Sequence, residues 1–166
     1  MLAASKVLRL CKVSLELLQE ETDEVRWNVH WFGAVSLLRA VGHVLVKVDG
    51  PKSAKLRNRL DDAYSDWKST NPNHAIFRDF IDSERNNLLK EFRSSVHPNH
   101  VTRLVIEDVK FRYWANTDGS ASDIHLLDEN LFRPVLGGYG QGEDARDIYE
   151  AAIGWWQAQL NLLTKP

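Results

Sequence analysis

Apolar residues recur at helical spacing along most of this chain. Leu8, Cys11, Leu15 and Leu18 follow at intervals of three and four, which predicts a first helix over residues 2 to about 20. Glu20-Glu21-Thr22-Asp23-Glu24 then forms an acidic junction. Thr22 or Asp23 suits the N-cap of a second helix, with the acids at the positive end of its dipole. That helix is predicted over residues 24 to 48 and is the most apolar segment. Trp27, Trp31, Ala34, Val35, Leu38, Val41, Leu45 and Val48 build a broad face that Leu37 and Val44 extend, the pattern of a central, buried helix. Gly33 and Gly42 are poor helix formers, and close approach of a neighbouring helix accounts for them. Asp49-Gly50-Pro51 is expected to end the helix, with the glycine left-handed.

A third helix, over residues 53 to 69, shows a narrower stripe of Leu56, Leu60, Ala63, Tyr64 and Trp67. Lys52, Lys55, Arg57 and Arg59 make its first half basic, and Asp61, Asp62 and Asp66 make its second half acidic. Lys52, Lys55 and Arg59 are candidate phosphate contacts; a solvated helix face is the plainer reading. Asn71-Pro72-Asn73 introduces a fourth helix over residues 73 to 94, stopped by Pro98. At roughly 100° per residue, Ile76, Phe77, Phe80, Ile81, Leu88 and Phe92 fall on one arc. Glu84 lies inside that arc as a buried carboxylate, with Arg39 or Arg112 as its expected partner, while Arg85 sits at the edge and Lys90 on the polar face.

Beyond Pro98 the period changes. Val109 to Trp114 alternates like a strand, Asn116-Thr117-Asp118-Gly119 is a turn signal, and Ile124 to Leu127 can return as a second strand. Gly137 to Gly142 reads as a flexible loop before a last helix over residues 143 to 163. The expected fold is mainly α: a four-helix up-down bundle with a C-terminal β-hairpin and fifth helix. Residues 1–97 form the bundle and residues 98–166 pack on it, in a single domain.

Composition narrows the function classes. A chain of 166 residues with 43% hydrophobic and 27% charged residues suits a soluble globular domain with a sizeable core. A net charge of −2 gives no global attraction to nucleic acid, so such binding needs a local patch. Six tryptophans predict an aromatic core; Trp155-Trp156 and Tyr113-Trp114 are the alternative, a base-stacking platform. Cys11 is the single cysteine, so no intramolecular disulfide and no cysteine metal site can form. Lys6, Arg9 and Lys12 break any signal-peptide core, and His30, Ser36, Arg39 and His43 interrupt the second helix as a membrane span. A cytoplasmic protein without membrane contact is expected. His30 and His43 lie too far apart on one helix to share a metal, and the glycine-rich loop lacks the Lys-Ser/Thr of a phosphate-cradling loop. No metal site and no cofactor is expected.

Three features together resemble the HEPN superfamily, small helical bundles of bacterial toxin–antitoxin and defence systems and of related RNA-cleaving enzymes. They are the long apolar helix from Trp27 to Val48, the following helix with Tyr64 and Trp67, and the helix reading Phe77-Arg78-Asp79-Phe80 through Arg85-Asn86. The likeness covers Thr22 to Phe92. Catalytic members carry an Arg, a polar residue and then a His about five to seven positions after the Arg. Arg85-Asn86 matches the Arg–polar pair, but Lys90, Glu91 and Phe92 stand where the His belongs. Arg93 and His100 match the spacing, with Pro98 between them. The resemblance implies a homodimer that associates with RNA or a partner protein without nuclease activity, Lys90 and Arg93 being further binding candidates. Its competitors are an endoribonuclease using Arg85 and Asn86, and an interaction module outside the superfamily.

Overall fold

The computed structural model describes residues 1–96 and 132–165. Among these the protein is mainly helical. Helix α1 spans Ala3–Glu20 and α2 spans Glu24–Val44, with Asp23 accepting a capping bond from the Arg26 N–H at 2.8 Å. The helix does not stop at Gly50. It continues through a wide π-type turn, Leu45–Asp49, and a tight 3-10 turn, Gly50–Lys52. Gly50 is right-handed at φ −54°, not left-handed as the sequence suggested, because Pro51 fits the first turn of a new helical segment. The break falls at Ser53, which is extended and whose hydroxyl caps helix α3, Ala54–Lys68.

The fourth helix, α4, is one helical run over residues 72–91. It joins a 3-10 turn (Pro72–His74), a π-type stretch (Ile76–Asp82), one α turn (Ser83–Asn86) and a second π-type stretch (Asn87–Glu91). It ends at Glu91, short of Pro98. Phe92 adopts the left-handed conformation (φ 52°), and its side chain, expected on the apolar arc, is 85% exposed. Helix α5 spans Ala145–Thr164, capped by Asp144. An isolated antiparallel bridge between Val96 and Val135 stitches the segment leaving α4 to the one entering α5, and a second, Pro134 with Asp144, closes the latter on itself. The predicted hairpin, with Arg112, Tyr113 and Trp114, lies outside the described residues, as do His97 and His100.

Helix α2 supplies the middle of the core, and α1 packs along it. Its buried face comprises Trp27, Trp31, Ala34, Val35, Leu38 and Val41. Against it stand Leu8, Cys11 and Leu18 of α1, Phe77, Phe80 and Ile81 of α4, and Tyr149 and Trp156 of α5. The run Glu24–Lys52 is long and apolar enough to cross a membrane by length and composition, and 39% of its most apolar 18-residue stretch is buried inside the protein. Trp67 is the centre of an aromatic cluster, 5.6 Å from Phe77, 5.4 Å from Trp155 and 5.3 Å from Trp156 between ring centres. Trp155-Trp156 therefore belongs to this packing rather than to an open stacking platform. His74 closes the cluster: its Nε2 meets Asp66 at 2.9 Å, and its Nδ1 accepts from the Trp155 indole at 3.2 Å.

The two helical glycines of α2 differ. A Cβ on Gly42 would stand 3.0 Å from the Trp156 ring, so this glycine does serve close packing. A Cβ on Gly33 would meet nothing within 4 Å, and that position faces solvent. The glycine-rich turn before α5 is a bonded structure: the Gly142 N–H donates to the Val135 carbonyl at 2.8 Å and the Glu143 N–H to Gly140 at 2.9 Å. Gly140 is required there, at φ +73° with Ile148 directly against it.

Candidate anion-binding groove

Two carboxylates are fully committed to the fold. Asp49, buried at the end of α2, accepts the Ala3 and Ala4 N–H groups at 2.9 Å each and binds Lys52 at 2.9 Å. It thus caps α1 from far along the chain. Burial alone would raise its pKa; the two N–H bonds and Lys52 outweigh that and hold it below the usual carboxylate value. Glu84 is 2% exposed; of its two expected partners Arg39 is engaged elsewhere, and Arg112 lies outside the described residues. Its carboxylate accepts from the Trp31 indole at 3.3 Å, the Ser94 hydroxyl at 2.9 Å, and the Ser95 N–H and hydroxyl. Arg39, the partner the sequence suggested, pairs with Asp82 instead, at 3.0 Å. The reason is geometric: Ser94 and Ser95 fold back over α4 once Phe92 turns the chain, and they reach Glu84 first.

Buried inert groups can also be set aside. Desolvation pushes the Cys11 thiol up to about 11 and the Tyr149 phenol, its hydrogen-bonded neighbour, far above its ordinary value. Among the described residues no group of three His, Cys, Asp or Glu side chains is placed to hold a metal ion.

A second set of polar side chains, part engaged and part open, lies along the seam between α2 and α3. Arg39, His43 and Lys47 recur every fourth residue on α2 and so share one face, which looks across to α3. There they line a groove of about 310 Å³ with Leu60, Asp61 and Tyr64, over a floor at Gly42. A second compartment of about 270 Å³ shares Val46, Lys47, Leu60 and Asp61 with the first and adds Pro51 and Arg57. The two form one furrow along the α2–α3 seam. Gly42 keeps its floor low by letting Trp156 pack directly beneath the backbone.

His43 joins this groove to the Arg–polar pair of α4. Arg85 bonds its neighbour, the Arg85 Nη1 donating to Asn86 Oδ1 at 2.9 Å. The guanidinium also lies within electrostatic range of the His43 imidazole. Partial burial lowers the His43 pKa first; Arg39, Arg85 and Lys47 lower it further, and Asp82 opposes them. The imidazole is therefore neutral at pH 7, an acceptor or base set among cations. Among the described residues, Lys47, Arg57 and Asp61 form no ion pair or side-chain hydrogen bond, although Arg57 and Asp61 stand one turn apart on α3.

The basic residues proposed from sequence are placed differently from one another. Lys52 is held by Asp49, and Arg59 Nη1 donates to the Leu163 and Lys165 carbonyls at the end of α5. Lys55 lies beside that same end, away from the groove. Lys90 is exposed, and Arg93 is exposed beside Glu91 at 3.5 Å. Neither lines the groove. Those that do are Arg39, His43 and Lys47, which had one sequence signal, a polar stripe at four-residue intervals on an otherwise apolar helix, and Arg57, Asp61 and Tyr64 of α3. Comparison with family models, with curated proteins and with solved structures finds no match to this chain.

Proposed function

We propose that this chain is a HEPN-like binding protein for single-stranded RNA, lacking nuclease activity and acting in the cytoplasm as a homodimer. On this reading residues 1–97 form a four-helix up-down bundle, and residues 98–166, hairpin and α5 included, pack on it. One observation carries the reading: a furrow with the unengaged cations Lys47 and Arg57 along it, Arg39 and the neutral His43 beside them, Tyr64 in its wall and an apolar floor. Single-stranded nucleic acid is held by this combination, cations along the backbone and aromatic or apolar surface for the bases. The overall charge of −2 leaves binding to this local patch.

A second reading is favoured by the electrostatic influence of Arg85 on His43. A neutral imidazole can take the proton of a ribose 2′-hydroxyl as its oxygen attacks the adjacent phosphorus. Arg85 would offset the negative charge that develops on the phosphoryl oxygens, and the departing 5′-oxygen would leave with a proton from water.

One experiment tests both. Binding of a fluorescein-labelled RNA dodecamer is followed by anisotropy across a salt series, and the same mixtures are run on a gel. Log affinity should fall linearly with log salt, and Lys47→Ala should lessen that slope by about 0.7, one phosphate contact. No binding at low salt, or an unchanged slope, rejects the groove as an RNA site. Metal-independent cleavage that His43→Ala abolishes would replace the binding reading with the nuclease.

A further inference from the structure

An acid in a groove for an anion needs a reason. Asp61 lines both compartments of the furrow, between Arg57 four residues before it and Tyr64 three residues after it, all on one face of α3. It is exposed, and among the described residues it bonds neither Lys47 nor Arg57, with which it shares the second compartment. Its oxygens are therefore open to a ligand. A carboxylate only accepts hydrogen bonds, and it accepts best from two parallel donors.

Among the four bases, guanine alone offers two adjacent N–H donors on its Watson–Crick edge, at N1 and the exocyclic N2. Adenine and cytosine present one amino group next to an acceptor, and uracil one N–H between two carbonyls that a carboxylate repels. Tyr64 supplies the matching surface: its half-buried ring meets Trp67 and Phe77 edge-on at 6.3 and 6.2 Å, and the exposed Lys68 ammonium lies 5.0 Å over it, a contact that an incoming base replaces. A base laid against Tyr64 has Asp61 three residues back on the same helix, with Lys47 on the opposite wall to take the phosphate.

We propose that Asp61 makes this groove selective for guanine, accepting N1–H and N2–H of one base stacked on Tyr64. This inference rests on the groove being an RNA site. The test compares three labelled hexamers: all uridine, the same with one central guanosine, and the same with inosine, which keeps N1–H but lacks the N2 amino group. The guanosine hexamer should bind about tenfold tighter than the uridine hexamer, with inosine between them. In Asp61→Asn the preference should vanish, while the uridine hexamer binds more tightly because an acid beside the phosphates is gone. Circular dichroism of the variant should be unchanged. Equal binding of all three hexamers by the wild type, or a preference that survives in Asp61→Asn, overturns the role of Asp61 and leaves the RNA site standing. No binding of any hexamer removes the RNA site and this inference together.

Discussion

Glu84 and Arg85 are neighbours on α4 and belong to opposite kinds of region. Glu84 sits in a closed polar network, every lone-pair direction occupied by Trp31, Ser94 or Ser95. Arg85 is half-buried, bonds its neighbour Asn86 and acts electrostatically on His43 of the α2–α3 groove, where Lys47, Arg57 and Asp61 bond nothing among the described residues. Buried polar groups must be satisfied within the protein, because leaving them unmet costs more than the bond itself returns. Exposed ones are satisfied by water and stay available. A polar residue inside the core of this protein therefore reports on folding, and one along the groove reports on a ligand.

The widest test of that contrast is Glu84→Ala. It strands the Trp31 indole N–H together with the Ser94 and Ser95 donors, and should lower unfolding free energy by about 3 kcal/mol or more. Asp61→Ala, in the groove, should change it by less than about 0.5 kcal/mol. Urea denaturation of both variants measures the gap; equal losses would erase the distinction between the two regions.

Asp49 sharpens it through pH. Removing a cap of this kind by Asp49→Ala should cost about 2 kcal/mol at pH 7. Because the folded pKa of Asp49 is depressed, its contribution is complete above the unfolded value of about 4 and is lost as pH falls through the folded one. The difference between wild type and variant should therefore close below pH 4. A gap that stays constant down to pH 2 would mean the carboxylate charge contributes nothing.

The smallest effects come from the glycines of α2. Gly42→Ala pushes a methyl group into the buried Trp156 ring and should destabilise by about 1–2 kcal/mol, lifting the groove floor. Gly33→Ala meets open space and should stabilise by up to about 1 kcal/mol through helix propensity. Thermal melts of the two should move in opposite directions.

The helical periods, the cap at Asp23 and the choice of α2 as the central helix were legible in the chain, since each depends on residues within a turn or two of one another. Sequence patterning also put Glu84 on the apolar side of α4. Its partners were not legible. They depend on Phe92 turning the chain so that Ser94 and Ser95 fold back, which no local preference for phenylalanine would suggest.

The order of amphipathic helices, their polar boundaries and the stripe Arg39, His43, Lys47 follow from spacing alone, because a helix repeats its faces at a fixed period whatever surrounds it. Tertiary structure decided which charges are engaged. Asp49 was drawn to the N–H groups of α1, Arg59 to the carbonyls ending α5, and Arg39 to Asp82, each across a long stretch of chain. Which face of α3 would meet α2, and so which cations line a groove, was set by packing around Trp67 and Trp156. A helical period records that a face exists; only the assembled core determines what stands opposite it.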